Sequence, residues 1–353
     1  MKKYLIINEC FSSNFGDQAI NKSLINLFKE NKILTHSVYL SNLKINELPK
    51  ISYQKIKKSY TNKVIGYLKS FLYFLFWYYR NYEPINNILK KNQYEKIIIG
   101  GGQLIGSSNK IFPNTFSIAL FWISRTAAKV SNAKIVYFGV GVNSKHGFIE
   151  KLLYSYALKK SSLIIVRDLF SKNILTKNFN VKSKVAPDVA FYNSLSQHKE
   201  DKHRNFGLVF ITDFKILVKN KKVFFDLNSY YEFCFLKVKE YKKRGLEVLL
   251  SYTTFEDSCQ CLDFKKYIKD NYNENLELTN IQSLNDLIFY LKKSKIIHSG
   301  RMHALILGKK WGADIDPFLL SEKVEEFSKE YLSSNIEYLN IKLKEAVGEI
   351  ILN

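Results

Sequence analysis

Cysteine is scarce in this chain: 353 residues hold four, at Cys10, Cys234, Cys259 and Cys261. Cys259 and Cys261 are too close in sequence for an ordinary disulfide framework, and no Cys/His spacing resembles a zinc site. A disulfide-stapled secreted scaffold and a metal finger are both excluded, and a reducing, cytoplasmic compartment is expected. Long apolar runs are also missing. The strongest, "VIGYLKSFLYFLFWYYR" at 64–80, is shorter than the roughly 20 residues that span a bilayer, and Lys69 interrupts it. The apolar run in the N-terminal "MKKYLIINEC" is shorter still, so it reads as a first strand and not as a signal peptide. Acidic charge is short as well, with 32 Asp and Glu against 54 Lys and Arg, a net charge of +22. That field favours anionic partners, although abundant Lys, Asn, Ile, Phe and Tyr also fit an AT-rich genome. A nucleic-acid binder fits poorly, because neither a helix-turn-helix nor an interleaved basic–aromatic module is evident.

What is present is a globular chain, 46% hydrophobic and 15% aromatic, long enough for two domains. Apolar runs alternate with segments of helical period. "KYLIIN" precedes "DQAINKSLINLFKE", in which Ile20, Leu24, Leu27 and Phe28 recur at helical spacing. "EKIIIGGG", "AKIVYFGVGV" and "SLIIVRD" are each followed by a helical segment. Such near-continuous apolar strands belong to parallel sheets covered on both faces, so repeated units of this kind predict a doubly wound α/β fold. A polar stretch at 193–205 is the expected linker. After it the alternation restarts with "FGLVFI", "LEVLLSY", "LELTN" and "KIIHSG". The predicted organisation is one Rossmann-like domain over 1–192, a second over 206–332, and a C-terminal helix over 333–353 that packs back on the first. Ligands of such folds bind beyond the C-terminal strand ends, in a cleft.

The strand ends carry the unusual residues. "NFGDQ" brings Asn14, Gly16 and Asp17. "GGGQLIG" brings Gly101, Gly102 and Gln103. "GVGVNSK" brings Asn143, "VRD" brings Arg167, and "APDVAF" brings Asp188. Each has an ordinary structural reading, as a tight turn or as a cap and salt bridge; together they mark one edge. At 298–308, "HSGRMHALILG" places His298, Ser299, Gly300, Arg301 and His303 at a strand-to-helix turn. Unpaired N–H groups and partial positive charge there attract anions, and a guanidinium strengthens the attraction. His298 has two readings, a satisfied core or supporting histidine and a ligand. The apolar segment 64–80 also has two readings. One is a buried helix. The other is a helix on an anionic membrane surface, with Trp77, Tyr78 and Tyr79 at the headgroups and Lys57, Lys58, Lys63, Lys69, Arg80, Lys90 and Lys91 flanking it.

"NFGDQAI", "IIIGGGQLI", "FGVGV", "IIVRDLFSKNIL", "VAPDVAF" and "SGRMHALILG" resemble, in order and separation, the polysaccharide pyruvyl transferase family, over about residues 4 to 330. The resemblance implies a GT-B-like α/β fold, two Rossmann-like domains around a cleft. It implies transfer of pyruvate from phosphoenolpyruvate to a sugar, as a ketal bridging two hydroxyls. Arg301 and Arg167 match the family's donor-binding positions, with Ser299 and Gly300 at the same turn, and His303 suits general acid/base work. Asp17 either accepts a hydroxyl proton or fixes its loop. Asn14, Gly16, Gly101, Gly102, Gln103, Asn143, Asp188 and His298 are expected in the acceptor or cleft loops. No metal and no cofactor are expected beyond phosphoenolpyruvate as co-substrate. The acceptor is expected to be a glycan, nucleotide-linked, lipid-linked or polymeric, handled in the cytoplasm or at the inner face of the membrane. The chain departs from the family in "KKWGADIDPF", where a proline often follows the helix, and in "KNKKVFFDLN" at 219–228, which reads as a variant loop. Two rivals remain: a GT-B glycosyltransferase using a nucleotide sugar, and a noncatalytic membrane-bound assembly factor.

Overall fold

Nearly every apolar run becomes a strand of a parallel sheet. The computed structural model describes residues 2–44, 63–107, 113–193, 204–219, 226–319 and 321–353. Most of the expected linker at 193–205, most of the segment 219–228, and Lys57 and Lys58 therefore lie outside the described residues, as do the side chains of Lys63 and Lys69. The chain divides into two units. One comprises Met1–Ser12, Ile20–Val189 and Ile341–Asn353; the other comprises Ser13–Ala19 and Ala190–Asn340.

In the first unit the order is β1 (Lys3–Asn8), α1 (Phe15–Glu30), β2 (Leu34–Tyr39), α2 (Lys63–Lys91), β3 (Lys96–Gly100), α3 (Thr115–Val130), β4 (Lys134–Val140), α4 (Phe148–Lys159), β5 (Ser161–Val166), α5 (Leu169–Phe179) and β6 (Lys184–Val185). The strands form one parallel sheet in the order β2-β1-β3-β4-β5-β6. Strand order reverses between β1 and β3, so the loops after these two strands diverge there. One face of the sheet, with Leu5, Ile7, Ile97, Ile99, Ile135, Tyr137 and Val166, packs against α2, α3, α4 and α5.

In the second unit β7 (Phe206–Phe210), α6 (Phe214–Lys219), α7 (Leu227–Lys243), β8 (Glu247–Ser251), α8 (Phe255–Tyr272), β9 (Glu277–Leu278), α9 (Leu284–Lys293), β10 (Ser294–Ser299), α10 (Met302–Lys310), β11 (Asp314–Pro317) and α11 (Glu322–Tyr331) follow in turn; the last helix, α12 (Ile336–Leu352), belongs to the first unit from Ile341 onward. Its parallel sheet has the order β11-β10-β7-β8-β9, reversing between β7 and β10. Residues 13–19 belong here because Phe15 and Ala19 share a core with Leu208, Leu249, Ile297, Ala304 and Leu307. The Phe15 N–H also donates to the Thr253 carbonyl, at 3.1 Å.

The strands that sequence patterning passes over are edges. β2 reads "LTHSVY", with three consecutive polar residues at Thr35, His36 and Ser37, and β6 is a two-residue pairing. β11, "DIDP", is neither continuous nor apolar. A strand with one covered flank does not need the continuous apolar run of an interior strand.

The helix α2 buries one face of its apolar run and exposes another. Trp77, Ile85 and Leu89 form a stripe inside the core. Trp77 is 3% exposed, which corrects its expected place at a headgroup surface; 3.6-residue periodicity puts it on the inner face. Phe74 and Tyr78 are half-buried against Trp122, at centroid distances of 5.1 and 4.2 Å. Leu72, Leu75, Phe76 and Tyr79 form a second stripe, and all four are exposed, Tyr79 at 86%. No helix among the described residues is long and apolar enough to cross a membrane.

One buried carboxylate anchors the loops at the top of the first sheet. Glu150 is fully buried; it accepts from Ser107 Oγ at 2.9 Å, from Asn114 N at 3.0 Å and from Gly147 N at 3.0 Å. Glu150→Ala strands those donors. It is expected to cost about 1–3 kcal/mol, read as a lower denaturation midpoint, with Glu150→Gln losing less. An unchanged midpoint for the alanine variant would show that water replaces the carboxylate.

Candidate active site

The second unit brings four chain segments to the C-terminal edge of its sheet. β10 ends at Ser299, whose hydroxyl accepts from Arg301 N at 2.9 Å. That bond turns the chain at Gly300 into α10. Arg301 is the N-cap residue of α10, in extended conformation, and makes no side-chain cap. This is unusual for a position that prefers an acceptor such as Ser or Asp, since a guanidinium can only donate. Its side chain instead reaches Asp257 in the first turn of α8. Nε donates to Oδ2 at 2.8 Å and Nη2 to Oδ1 at 2.5 Å, a two-pronged pair with Asp257 wholly buried. Asp257 Oδ1 also accepts from Asp213 N, in the loop after β7, at 2.9 Å. The next residue is held the same way, with Phe214 N donating to Gln260 Oε1 at 3.1 Å.

His303, in the first turn of α10, packs against the backbone of the loop after β1. A Cβ built on Gly16 would lie 2.3 Å from His303 Nδ1, so only glycine allows this approach. Asn14 fixes Gly16 by accepting its N–H on Oδ1 at 2.9 Å, and the Asn14 carbonyl accepts from Asp17 N at 3.1 Å. Asp17 is therefore held in the first turn of α1, half-buried, beside the glycine that carries His303. Asn14, Gly16, Asp17, Ser299, Gly300, Arg301 and His303 are thus grouped, as their order in sequence could not show.

His298 points elsewhere. It is buried on β10, its Nδ1 3.2 Å from Asp316 Oδ2, with Phe233 and Phe318 against its ring. Asp316 also takes Tyr241 Oη at 2.6 Å and Lys237 Nζ at 3.0 Å. Burial pushes the Asp316 carboxyl up, but His298, Tyr241 and Lys237 outweigh that and hold it well below the usual range. Burial, reinforced by Asp316, raises the Tyr241 phenol far above its ordinary value.

The first unit gathers the remaining candidates. Gly101 and Gly102 both adopt φ of 70°, and a Cβ on Gly101 would lie 2.1 Å from Ile20 Cγ2. Gly141 N donates to the Gly102 carbonyl at 2.7 Å, and the Gln103 amide donates to Asn143 Oδ1. Arg167 lies under Gly141, where a Cβ would come within 2.6 Å of its guanidinium. It is 3% exposed, with Nε 3.2 Å from Asp168 and Nη1 3.4 Å from buried Asp188. Arg167, Asp188, Gly101, Gly102, Gln103 and Asn143 therefore form a cluster of their own.

Sequence reasoning missed Asp257, Asp213, Gln260 and Asp316. "TTFEDS" shows a cap, Thr254, and an acidic first turn, which read as helix-end chemistry. Nothing in the string says that one of those acids meets an arginine 44 residues away.

Gly16→Ala is expected to displace the His303 ring and cost about 1–3 kcal/mol, the usual penalty for overpacking. Adding His303→Ala should recover most of that loss in thermal unfolding. If the double variant is no more stable than Gly16→Ala alone, the clash lies elsewhere.

No curated protein matches the sequence. Among solved structures, UDP-GlcNAc 2-epimerase from Methanocaldococcus jannaschii shares 12% identity at TM-score 0.53, over 98% of this chain and 92% of that one. UDP-GlcNAc 2-epimerase from Neisseria meningitidis, bound to UDP-GlcNAc, shares 12% at TM-score 0.51, over 99% and 92%. At such identities the likeness shows the fold alone, α/β with two parallel sheets of the GT-B-like class. The polysaccharide pyruvyl transferase profile matches residues 14–308, which run from the loop carrying Gly16 to the helix carrying His303. Most of the chain lies within that match, and the chain belongs to the polysaccharide pyruvyl transferase family.

Proposed function

We propose that this protein transfers pyruvate from phosphoenolpyruvate to a sugar of a surface polysaccharide or its lipid- or nucleotide-linked precursor, forming a ketal. The observation that carries the reading is the turn in which Arg301 is held by Asp257 and His303 is seated on Gly16, in a chain of this family. Phosphoenolpyruvate is a phosphate and a carboxylate on one small enol. Arg301 takes one anionic group, and the first turn of α10 supplies backbone dipoles. A proton delivered to the methylene carbon makes C2 electrophilic. One sugar hydroxyl adds to C2, the C2–O bond to phosphate breaks, and a second hydroxyl closes the ring. Two hydroxyl protons are released; one balances the proton gained by the methyl group and the other leaves with phosphate. His303 is the proton donor and acceptor in this scheme, with Asp17 beside it as the second group that can take a hydroxyl proton.

Arg167 has a smaller part: shared between Asp168 and Asp188, it braces the Gly141 turn. Gln103 and Asn143, with Gly101 and Gly102, are the proposed acceptor contacts in the first unit. No metal or cofactor enters the scheme. The rival reading is transfer from a nucleotide sugar, suggested by the nucleotide-sugar epimerases of similar fold.

The acceptor and the outer stripe of α2 suggest a working place at the inner face of an anionic membrane. Leu72, Leu75, Phe76 and Tyr79 would rest among headgroups, with Arg80, Lys90 and Lys91 on the same helix. Each basic residue near such a surface adds about 1 kcal/mol, falling off within a Debye length.

Phosphate release from phosphoenolpyruvate, in the presence of a candidate glycan, tests the chemistry. His303→Asn is expected to bind donor yet turn over about 10²–10⁴ slower. A wild-type rate would remove His303 from proton transfer, and nucleotide release from a nucleotide sugar with none from phosphoenolpyruvate would favour the rival.

Attachment is a separate expectation. The protein should sediment with phosphatidylglycerol vesicles at low salt, release at high salt, and fail to bind as the Leu75→Glu/Phe76→Glu variant. Equal sedimentation of that variant would place the contact elsewhere.

A further inference from the structure

We infer that Asp257 is a positioning residue for the donor. It occupies the Nε/Nη2 edge of Arg301, so that the donor's anionic oxygen is taken end-on through the Nη1/Nη2 edge. This rests on the transferase reading above and adds to it a group that the sequence did not single out.

The guanidinium has two edges able to grip a carboxylate or phosphate in the two-pronged manner. The side edge is spent, Nε on Oδ2 and Nη2 on Oδ1 of Asp257. The end edge is not, since Nη1 has no bond to any described residue. The Arg301 side chain retains 23% exposure while Asp257 has none, so the pair is open on the arginine's side and closed on the carboxylate's. An anion there is closer to the cation than to the carboxylate behind it. Pairing with Asp257 therefore weakens the attraction without cancelling it, and fixes the direction of approach.

Rigidity is the other consequence. A free arginine at a turn samples many rotamers, and ordering it on binding costs entropy. Here the ordering is done in advance. Asp257 is itself held, because Oδ1 also accepts from Asp213 N and the carboxylate sits in the first turn of α8, where Thr254 caps the helix. Arg301, after β10, is thereby tied to the loops after β7 and β8. Ser299 adds a third tie through Arg301 N. Asparagine at 257 would keep one acceptor but turn an N–H toward the guanidinium or toward Asp213 N. Glutamate would keep the charge and push the fork outward by one methylene.

The test compares Asp257→Asn, Asp257→Glu, Arg301→Lys and Asp257→Asn/Arg301→Lys, each checked for folding by near-ultraviolet circular dichroism. In steady-state phosphate release, Asp257→Asn should raise KM for phosphoenolpyruvate about 10–100-fold with a smaller change in kcat, and Asp257→Glu should recover part of that. The double variant should be no worse than Arg301→Lys alone, because both changes remove one geometry. A second readout does not depend on the reaction. The Arg301 Nε–H resonance, assigned by its loss in Arg301→Lys, should be slow to exchange in the wild type and fast in Asp257→Asn. In the wild type, added phosphoenolpyruvate should shift the Nη signals and leave Nε–H protected. An unchanged KM in Asp257→Asn, additive losses in the double variant, or loss of Nε–H protection on donor binding would overturn the inference. Wild-type protein that releases no phosphate while Nε–H remains protected would instead sink the transferase reading and keep the pair. If Asp257→Asn fails to fold, Asp257→Glu with a wild-type KM overturns the proposal and with a raised KM supports it.

Discussion

The interior strands among the described residues are hydrogen-bonded on both sides and largely buried on both faces, and that constraint organises the rest. A parallel strand cannot turn back on itself; it must be followed by a crossover that returns over a face of the sheet. In each unit this sends all the strand-to-helix turns to one edge, while the faces are consumed by packing. Polar residues excluded from Ile97–Ile99, from Val136–Phe138 or from Ile296–Ile297 have only that edge to occupy. The order reversal, between β1 and β3 in one sheet and between β7 and β10 in the other, decides which loops part there.

Both units solve the same electrostatic problem at that edge in different ways. A guanidinium partly removed from water needs a compensating charge, and breaking such a pair from one side costs about 3–5 kcal/mol. Arg167 is closed on both sides, by Asp168 and by Asp188, under the glycine turn at 141. Arg301 is closed on one side only. Two arginines that look alike as strand-end cations thus differ in what they can offer a ligand. The His298–Asp316–Tyr241–Lys237 group is a third such arrangement, in which Tyr241 and Lys237 donate to the Asp316 carboxylate and His298 lies against it.

Glycine at close approaches is the other recurring device. Gly16 admits His303, Gly141 admits Arg167 and Gly101 admits Ile20; in each case a methyl group would overlap the neighbour. Gly101 further requires a positive φ. Gly16, Gly101 and Gly141 each lie within one of the strand-end motifs that carry the family resemblance.

The sequence by itself determined the fold class, since apolar runs separated by helical periodicity leave few other solutions than parallel sheets covered by helices. It also placed Arg301 and His303 at a helix start, and the order of strand-end motifs was enough to recognise the family. It left open which residues share a site, because that depends on contacts far apart in sequence. Asn14, Gly16 and Asp17 lie beside His303 only because Phe15 is buried with Leu208 and Ala304. The two readings of the 64–80 run could not be separated in one dimension, and the helix gave Trp77 to the core and Tyr79 to the surface. The edge strands β2, β6 and β11 were silent, having one open flank and no need of an apolar code. Only the tertiary structure decided that Asp257, one acid among several in a helical first turn, would meet Arg301. The reason is geometric: α8 and α10 both start at the same sheet edge, where the buried Asp257 carboxylate and the half-buried Arg301 guanidinium meet.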